Sequence, residues 1–511
     1  MSQTSENSKR IAKNTLFLYF RTFIIMAVSV FTSRLILNVL GVEDYGIYNV
    51  VGGIVVMFSL LSGTLTAATQ RFITFELGKE KPESNKVFSA ALEIHVLLAL
   101  VIFILLESVG CWFLNNKMNI DPIRLSAANW VFQCSTLTFC INLVSIPYNA
   151  SIIAHEKMSA FAYISIFEAI VKLGFVYLLL VIIYDKLIVY ALLMLVVSIM
   201  LLLIYGVYCK RNFVECQFHI VKNKILFREM LSFSGWNFIG STAGMLNTQG
   251  INILINLFFG VALNAARGVA EQLNAAVNSF VMNFMTAVNP QITKNFASGN
   301  YKYLNSLIVK GMKYSFFLFW LFCLPLFFET EFVLNLWLIK VPQESSVLLR
   351  YALVFSCCQL LSQTLYTAML ATGNIKKYQI VVGLLSIMAF PVAYLFFFCG
   401  LPVEFGYISS IIFSLLCLIA RLYLLKDMIP QFSILSFCKD GLFKIILVIL
   451  LSVILLTFVK MCIQSLQNKM ISFLIILCLS IFITGVSTYI VGLTKSEKRI
   501  IKKIIENKIK K

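Results

Sequence analysis

"NTLFLYFRTFIIMAVSVFTSRLILNVL", residues 14–40, decides the class of fold. At about 1.5 Å of rise per residue, this run forms a helix of about 40 Å, longer than the roughly 30 Å of hydrocarbon in a bilayer. It is also longer than the apolar core of a signal peptide and has no A-x-A-like cleavage site, so it is expected to stay in place as a membrane-spanning helix. The rest of the chain has the same character. Of 511 residues, 60% are hydrophobic and 13% charged, 45 are Phe, and the mean hydropathy is +0.89. A soluble domain of this length needs far less apolar surface.

Working outward, fourteen runs are long and apolar enough to span a bilayer: 14–40, 45–69, 87–108, 124–149, 159–184, 187–208, 230–258, 262–289, 304–328, 346–371, 377–399, 403–425, 441–463 and 470–493. An even number of spans puts both termini on one side. With the termini placed in the cytoplasm, 28 basic residues fall on cytoplasmic segments, Arg421 among them, and six fall on the other side. That asymmetry obeys the positive-inside rule. The net charge of +19 is therefore accounted for by topology and anionic lipid, and no nucleic-acid partner is required. The connecting loops are short, which leaves no room for a large soluble domain.

The chain repeats itself. "LNVLGV" (37–42) resembles "INLFFGV" (255–261), "TAATQRFITFELG" (66–78) resembles "TAVNPQITKNFASG" (286–299), and "YNASIIA" (148–154) resembles "YTAMLAT" (366–372). The matches keep one order and one offset of about 220 residues, as two homologous halves require. The expected fold is all-α and multi-pass: an N-terminal six-helix lobe (1–208), a basic cytoplasmic linker (209–229), a C-terminal six-helix lobe (230–426), and two extra helices with a basic tail (427–511). Two such lobes around a central cavity make a transporter-like architecture.

Several chemistries have no support. The 13 Cys lie scattered in apolar segments without a C-x-x-C pair, so neither a metal site nor a disulfide framework is expected. No phosphate-binding loop or nucleophile elbow occurs, and "AHEKM" (154–158) lacks the second His of a zinc motif. No cofactor is expected, and an enzyme such as a membrane glycosyltransferase would have to rest on carboxylates alone.

What stands out is charge inside apolar runs. In "NAARGVAEQLN" (264–274), extended to residue 278, Asn264, Arg267, Glu271, Asn274 and Asn278 share one helical face. Charge in lipid is costly, so such a stripe faces protein or a cavity. Two readings are open: an ion pair of Arg267 with Glu271 locking the helix to a neighbour, or a cavity wall whose guanidinium binds a phosphate. The preceding run holds Asn237, Asn247, Gln249, Asn252 and Asn256, and asparagines of this kind either line a cavity or join helices. Arg21 and Arg34 lie in the first run, Glu168 and Lys172 in the fifth, and Glu93 and His95 in the third. If Arg21, Lys172 and Arg267 converge, the cavity is cationic and its substrate anionic.

The stretches "SRLILNVLGVEDYGIYNVVGGIVVMFSLLSGTLTAATQRFITFELG" (33–78) and "IPYNASIIAHEKMSAFAYISIFEAIVKL" (146–173), with the seventh and eighth runs, resemble polysaccharide flippases of the Wzx type, which export O-antigen or capsule intermediates. That family belongs to the MOP superfamily, with the lipid II flippases and the multidrug and toxic compound extrusion (MATE) transporters. The resemblance implies a two-lobed fold that flips undecaprenyl-diphosphate-linked oligosaccharide from the cytoplasmic to the periplasmic leaflet of a bacterial inner membrane by alternating access. It also implies basic lumen residues on the first and eighth helices, here Arg21, Arg34 and Arg267. Membrane lipid, a coupling ion (sodium or proton) and other polysaccharide-assembly proteins are the implied partners. The alternative is a cation-coupled small-molecule exporter of the same fold, for which Glu271 and Glu168 are the candidate acids.

Overall fold

In hydrocarbon every backbone N–H and C=O must find its partner within the protein, and a helix supplies those partners locally. The computed structural model describes the backbone of residues 3–499, apart from 57, 80–82, 118–119, 260, 339–340, 464–467 and 496. The side chains of Arg34, Asn247, Gln249, Asn256 and Asn264 also lie outside the described residues. In chain order the helices are α1 (Gln3–Val56), α2 (Ser59–Leu77), α3 (Ser84–Leu105), α4 (Cys111–Lys117), α5 (Leu125–Ala154), α6 (Met158–Leu178), α7 (Lys186–Asn212), α8 (Lys224–Phe259) and α9 (Val261–Ala297). There follow α10 (Tyr301–Phe328), α11 (Thr330–Trp337), α12 (Ser345–Leu360), α13 (Gln363–Thr372), α14 (Lys376–Phe398), α15 (Phe405–Met428), α16 (Ile434–Ser436), α17 (Phe443–Ile463) and α18 (Lys469–Ser487).

The protein is an all-helical, multi-pass membrane protein. Among the described residues, ten helices are long and apolar enough to cross a bilayer. Their outward faces are apolar as well: Phe443, Ile446, Leu450, Ile454, Phe458 and Met461 recur every three or four residues along α17, and all are exposed. A soluble helix would put polar residues there. Two of the expected runs take a different form. The turn expected after residue 40 is reduced to one residue, Gly41, whose φ of 78° divides α1 into two helical segments. A side chain at that φ would be strained. The run expected at 346–371 is broken at Leu361 and Ser362 into α12 and α13.

The chain forms two compact units, 1–238 and 239–511, and the division falls inside α8. In the first unit α5 is the central helix, packed against α1, α2, α3, α6 and α7 around Phe132, Val131, Leu143 and Leu187, all buried. The linker is fastened to this unit. Asn85, Ser89 and Glu93, four residues apart on α3, hydrogen-bond the backbone of Glu215 and Gln217, His219, and Val221 respectively. Four helical residues advance about 6 Å, close to two residues of extended chain, so the two spacings match. Glu93 is accounted for by this strap. His95, almost wholly buried, donates from Nδ1 to the Ala91 carbonyl oxygen at 2.7 Å.

At one end of the same unit, Arg124 joins three helices. It donates to both oxygens of Asp44 on α1, at 2.9 and 2.5 Å, and to Asp185 at the start of α7, at 2.6 Å. Asp44 belongs to the "LGVEDYG" stretch, so the clamp holds α1 just past its break at Gly41. Partial burial alone would push the Asp185 carboxyl up. The Arg124 hydrogen bonds, with the N–H groups of Ile188 and Leu187, outweigh it and hold the carboxyl below the usual aspartate range. A depressed carboxyl stabilises the fold fully above its unfolded value, about pH 4, and the stabilisation is lost as the pH falls through the lowered folded value. Asp185→Asn keeps an oxygen for the cap on Leu187 and loses the charge. Its unfolding midpoint is expected to fall less steeply between about pH 5 and pH 3 than that of the wild type; parallel pH profiles would refute this assignment.

The second unit is built around α9, which packs against α10, α12 and α13, with α14 against α15 and α17 against α18. Its least expected feature is a buried ion pair. Lys313 of α10 is 0% exposed, and its Nζ lies 2.8 Å from Oε2 of Glu497, which is 4% exposed.

Candidate functional site

The packing of α6 along α1 brings three of the expected residues into one pocket of the first unit. Arg21 comes from α1, and Glu168 and Lys172 from successive turns of α6. The pocket has a volume of about 420 Å³ and is also lined by Tyr48, Tyr190 and Ser165. Lys172 Nζ lies 2.6 Å from Glu168 Oε1, the pairing that i and i+4 positions allow. The Arg21 guanidinium lies 4.5 Å from the centre of the Phe161 ring, and its buried Nε has no hydrogen-bond partner. Phe161 thus holds the cation by its π face while leaving N–H donors available. Ser165 and Thr32 spend their hydroxyl protons on the carbonyls one turn back, Phe161 and Val28. The pocket thus sets two cations against one carboxylate. Such a pocket attracts an anion.

The expected stripe on α9 is assembled in the second unit. Arg267 and Asn274 are each 6% exposed. Glu271 is held through both oxygens: Tyr407 of α15 donates to Oε1 at 2.6 Å, and Asn274 donates to Oε2 at 3.3 Å. The Arg267 guanidinium lies 5.3 Å from the centre of the Tyr407 ring. Asn278 donates to Asn274 and to Ser356 of α12, and Ser356 donates back to Asn274 at 2.8 Å. Four of the five stripe residues therefore join α9 to α12 and α15, the use to which buried polar residues between membrane helices are put. Asn252 is half-buried on α8. Asn237, expected in the same row, donates to the Thr64 carbonyl oxygen. Arg34, Asn247 and Asn264, also expected at the site, lie outside the described residues.

Sequence reasoning missed Tyr407 and Ser356, the partners of the stripe, because nothing in their own segments is anomalous. Among the described residues no group of three or more His, Cys, Asp or Glu could hold a metal ion, and all 13 cysteines are free.

The model of the polysaccharide biosynthesis protein family matches residues 11–296, more than half of the chain. The chain belongs to that family. No curated protein matches it in sequence. The fold of this family member is similar to solved structures of the MOP superfamily. One is a multidrug resistance MATE family transporter in an outward-facing conformation, with a TM-score of 0.71 at 12% identity over 85% of this chain and 99% of that one. Another is a MATE transporter in its straight conformation, with a TM-score of 0.69 at 14% identity over 84% and 99%. A third is a MOP superfamily transporter from Pyrococcus furiosus, described as having a binding pocket of reversed polarity that suggests a different function. It matches with a TM-score of 0.67 at 13% identity over 84% and 97%. The fold is thus MATE-like.

Proposed function

We propose that the protein flips a lipid-linked oligosaccharide, carried on undecaprenyl diphosphate, from the cytoplasmic to the periplasmic leaflet of the bacterial inner membrane for surface polysaccharide assembly. The observation that carries this reading is the cationic pocket of Arg21 and Lys172 in a chain of the polysaccharide biosynthesis family. A guanidinium fork binds phosphate oxygens bidentately, and in a low-dielectric site each charge-assisted bond is strong. On this reading Arg21 and Lys172 hold the diphosphate, Glu168 keeps Lys172 in place between cycles, and the prenyl chain stays in lipid. Arg267, with Glu271, Asn274 and Asn278, positions α9. The lobes are 1–208 and 230–426, followed by the two extra helices, and both termini are cytoplasmic. Rocking of one lobe against the other would alternate access.

The test is the sidedness of lipid-linked oligosaccharide in cells depleted of the protein, read with a membrane-impermeant probe that labels outward-facing glycan. Accumulation of unlabelled, inward-facing intermediate is expected, and unchanged sidedness overturns the proposal. The MATE-like fold supports a second reading, a cation-coupled exporter working through Glu168 or Glu271, and that reading predicts unchanged sidedness with altered tolerance to toxic compounds.

A further inference from the structure

The segment between α7 and α8 does more than join two helices. Its extended part is held along its backbone edge by Asn85, Ser89 and Glu93 of α3, which bond the main chain of residues 215, 217, 219 and 221. Successive side chains of an extended chain point to opposite faces. Phe218, Ile220 and Lys222 therefore share one face, and Gln217, His219 and Val221 the other. The polar face is engaged with its own strap, since the His219 ring lies 3.1 Å from the Gln217 carbonyl oxygen. On the first face, Phe218 is 51% exposed and Ile220 77%. Val214 and Ile225, before and after them in the chain, are exposed as well.

The face of α3 that carries this strap shows what medium those side chains meet. From Asn85 to Glu93 it advances about 12 Å, and Val96 and Leu100, three and seven residues past Glu93, continue the same face. Both are exposed, as are Leu97, Val101 and Ile104 beside them. An exposed apolar face on a helix of bilayer length is a lipid-facing one. The linker thus covers this face as far as Glu93, and lipid covers it from Val96, about 5 Å further on. Phe218 and Ile220 stand at that border. Charge agrees with this placement. Between residues 209 and 229 the basic side chains are Lys210, Arg211, Lys222, Lys224 and Arg228, all exposed and, among the described residues, none paired with a carboxylate. The acidic ones are Glu215 and Glu229, and Glu215 is engaged with His155 at 2.9 Å. Exposed apolar side chains at the edge of the hydrocarbon, flanked by basic ones, suit the interface of an anionic leaflet.

We propose that the strap 214–225 is a membrane-docking element. Phe218 and Ile220 enter the boundary between headgroups and acyl chains, and Lys222, Lys224 and their basic neighbours hold the phosphates of anionic phospholipid. On the topology proposed above the leaflet is the cytoplasmic one. The docking itself requires neither that sidedness nor any particular substrate, so its failure would leave the flippase reading untouched.

The experiment uses full-length protein in vesicles of phosphatidylcholine, with or without phosphatidylglycerol, whose acyl chains are brominated close to the glycerol and quench indole emission on contact. Ile220→Trp places an indole on the apolar face of the strap, and Ser298→Trp places one in the exposed turn between α9 and α10 as a reference for water. The emission of each added indole is the difference from the wild type. Bromolipid is expected to quench the indole at 220 more strongly than that at 298, by about twofold or more, and dissolved iodide is expected to show the opposite order. Phosphatidylglycerol is expected to increase the bromolipid quenching at 220, and the pair Lys222→Gln and Lys224→Gln to remove that increase. If Ile220→Trp does not fold, Phe218→Trp, an aromatic exchange on the same face, gives the same reading. Free access of iodide to this face without bromolipid quenching overturns the proposal and leaves a soluble partner as its occupant. Quenching that is indifferent to phosphatidylglycerol overturns it too.

Discussion

Lys313→Ala is expected to lose about 3 to 5 kcal/mol of stability, the usual cost of leaving one member of a buried ion pair without its partner. Glu497 is committed to the pair by its surroundings. Its Oε2 also accepts from the Thr494 N–H at 2.7 Å, and its own N–H donates to Thr494 Oγ1 at 3.4 Å. That reciprocal arrangement is a capping box. Burial alone would push the Glu497 carboxyl up, but Lys313 and the Thr494 N–H outweigh it and hold the carboxyl below the usual range. Removing the ammonium therefore strands an ionised group with nowhere to move. Lys313 also donates to the Gly492 carbonyl oxygen at 3.2 Å, so the same substitution releases the segment after α18 from α10. The double substitution Lys313→Met with Glu497→Leu removes both charges at similar volume and is expected to recover most of the loss, since apolar replacements of buried ion pairs are often neutral or stabilising. Thermal and denaturant unfolding of both variants checks this. If Lys313→Ala loses less than about 1 kcal/mol, the pair is solvated and the assignment is wrong.

That pair marks where sequence reading stops. Lys313 is plainly visible as a charge in the apolar run 304–328, yet its partner lies 184 residues away, and periodicity says nothing about contacts at that separation. Pairs one turn apart are different. Glu168 and Lys172 could be matched from spacing alone, because a helix fixes i against i+4, and the structure finds them 2.6 Å apart. The α9 stripe is intermediate. Its shared face follows from helical geometry, but which neighbours it meets depends on Tyr407 and Ser356, residues ordinary in their own segments. The helical class and the membrane setting were legible for a simpler reason: hydrophobic runs of bilayer length have few other solutions. Helix breaks were less legible. Gly41 interrupts α1 through one dihedral angle, and the α12–α13 break carries no Pro or Gly at Leu361 and Ser362, so no local signal distinguishes it from continuous helix.

Arg21→Gln is expected to reduce glycan export about 10- to 100-fold while leaving the unfolding midpoint near that of the wild type. The magnitude follows from one charge-assisted bond lost to a phosphate, about 1.5 to 3 kcal/mol, with about 1.4 kcal/mol per factor of ten. Stability is expected to hold because Arg21 makes no ion pair among the described residues and is kept in place by its contact with Phe161. Glu168→Gln separates the two functional readings. For an anionic substrate, loss of the carboxylate removes a competitor for Lys172 and leaves both cations available, so export persists and substrate affinity rises. For a cation-coupled exporter using that acid, the same substitution removes the coupling group and efflux is abolished while Arg21→Gln is tolerated. The checks are the sidedness of lipid-linked oligosaccharide and growth on toxic cations, measured for both variants at equal membrane abundance. Loss of glycan export with Arg21→Gln and its retention with Glu168→Gln support an anion pocket. The reverse pattern would transfer the function of the pocket from its arginine to its glutamate, and the proposed substrate would fall with it.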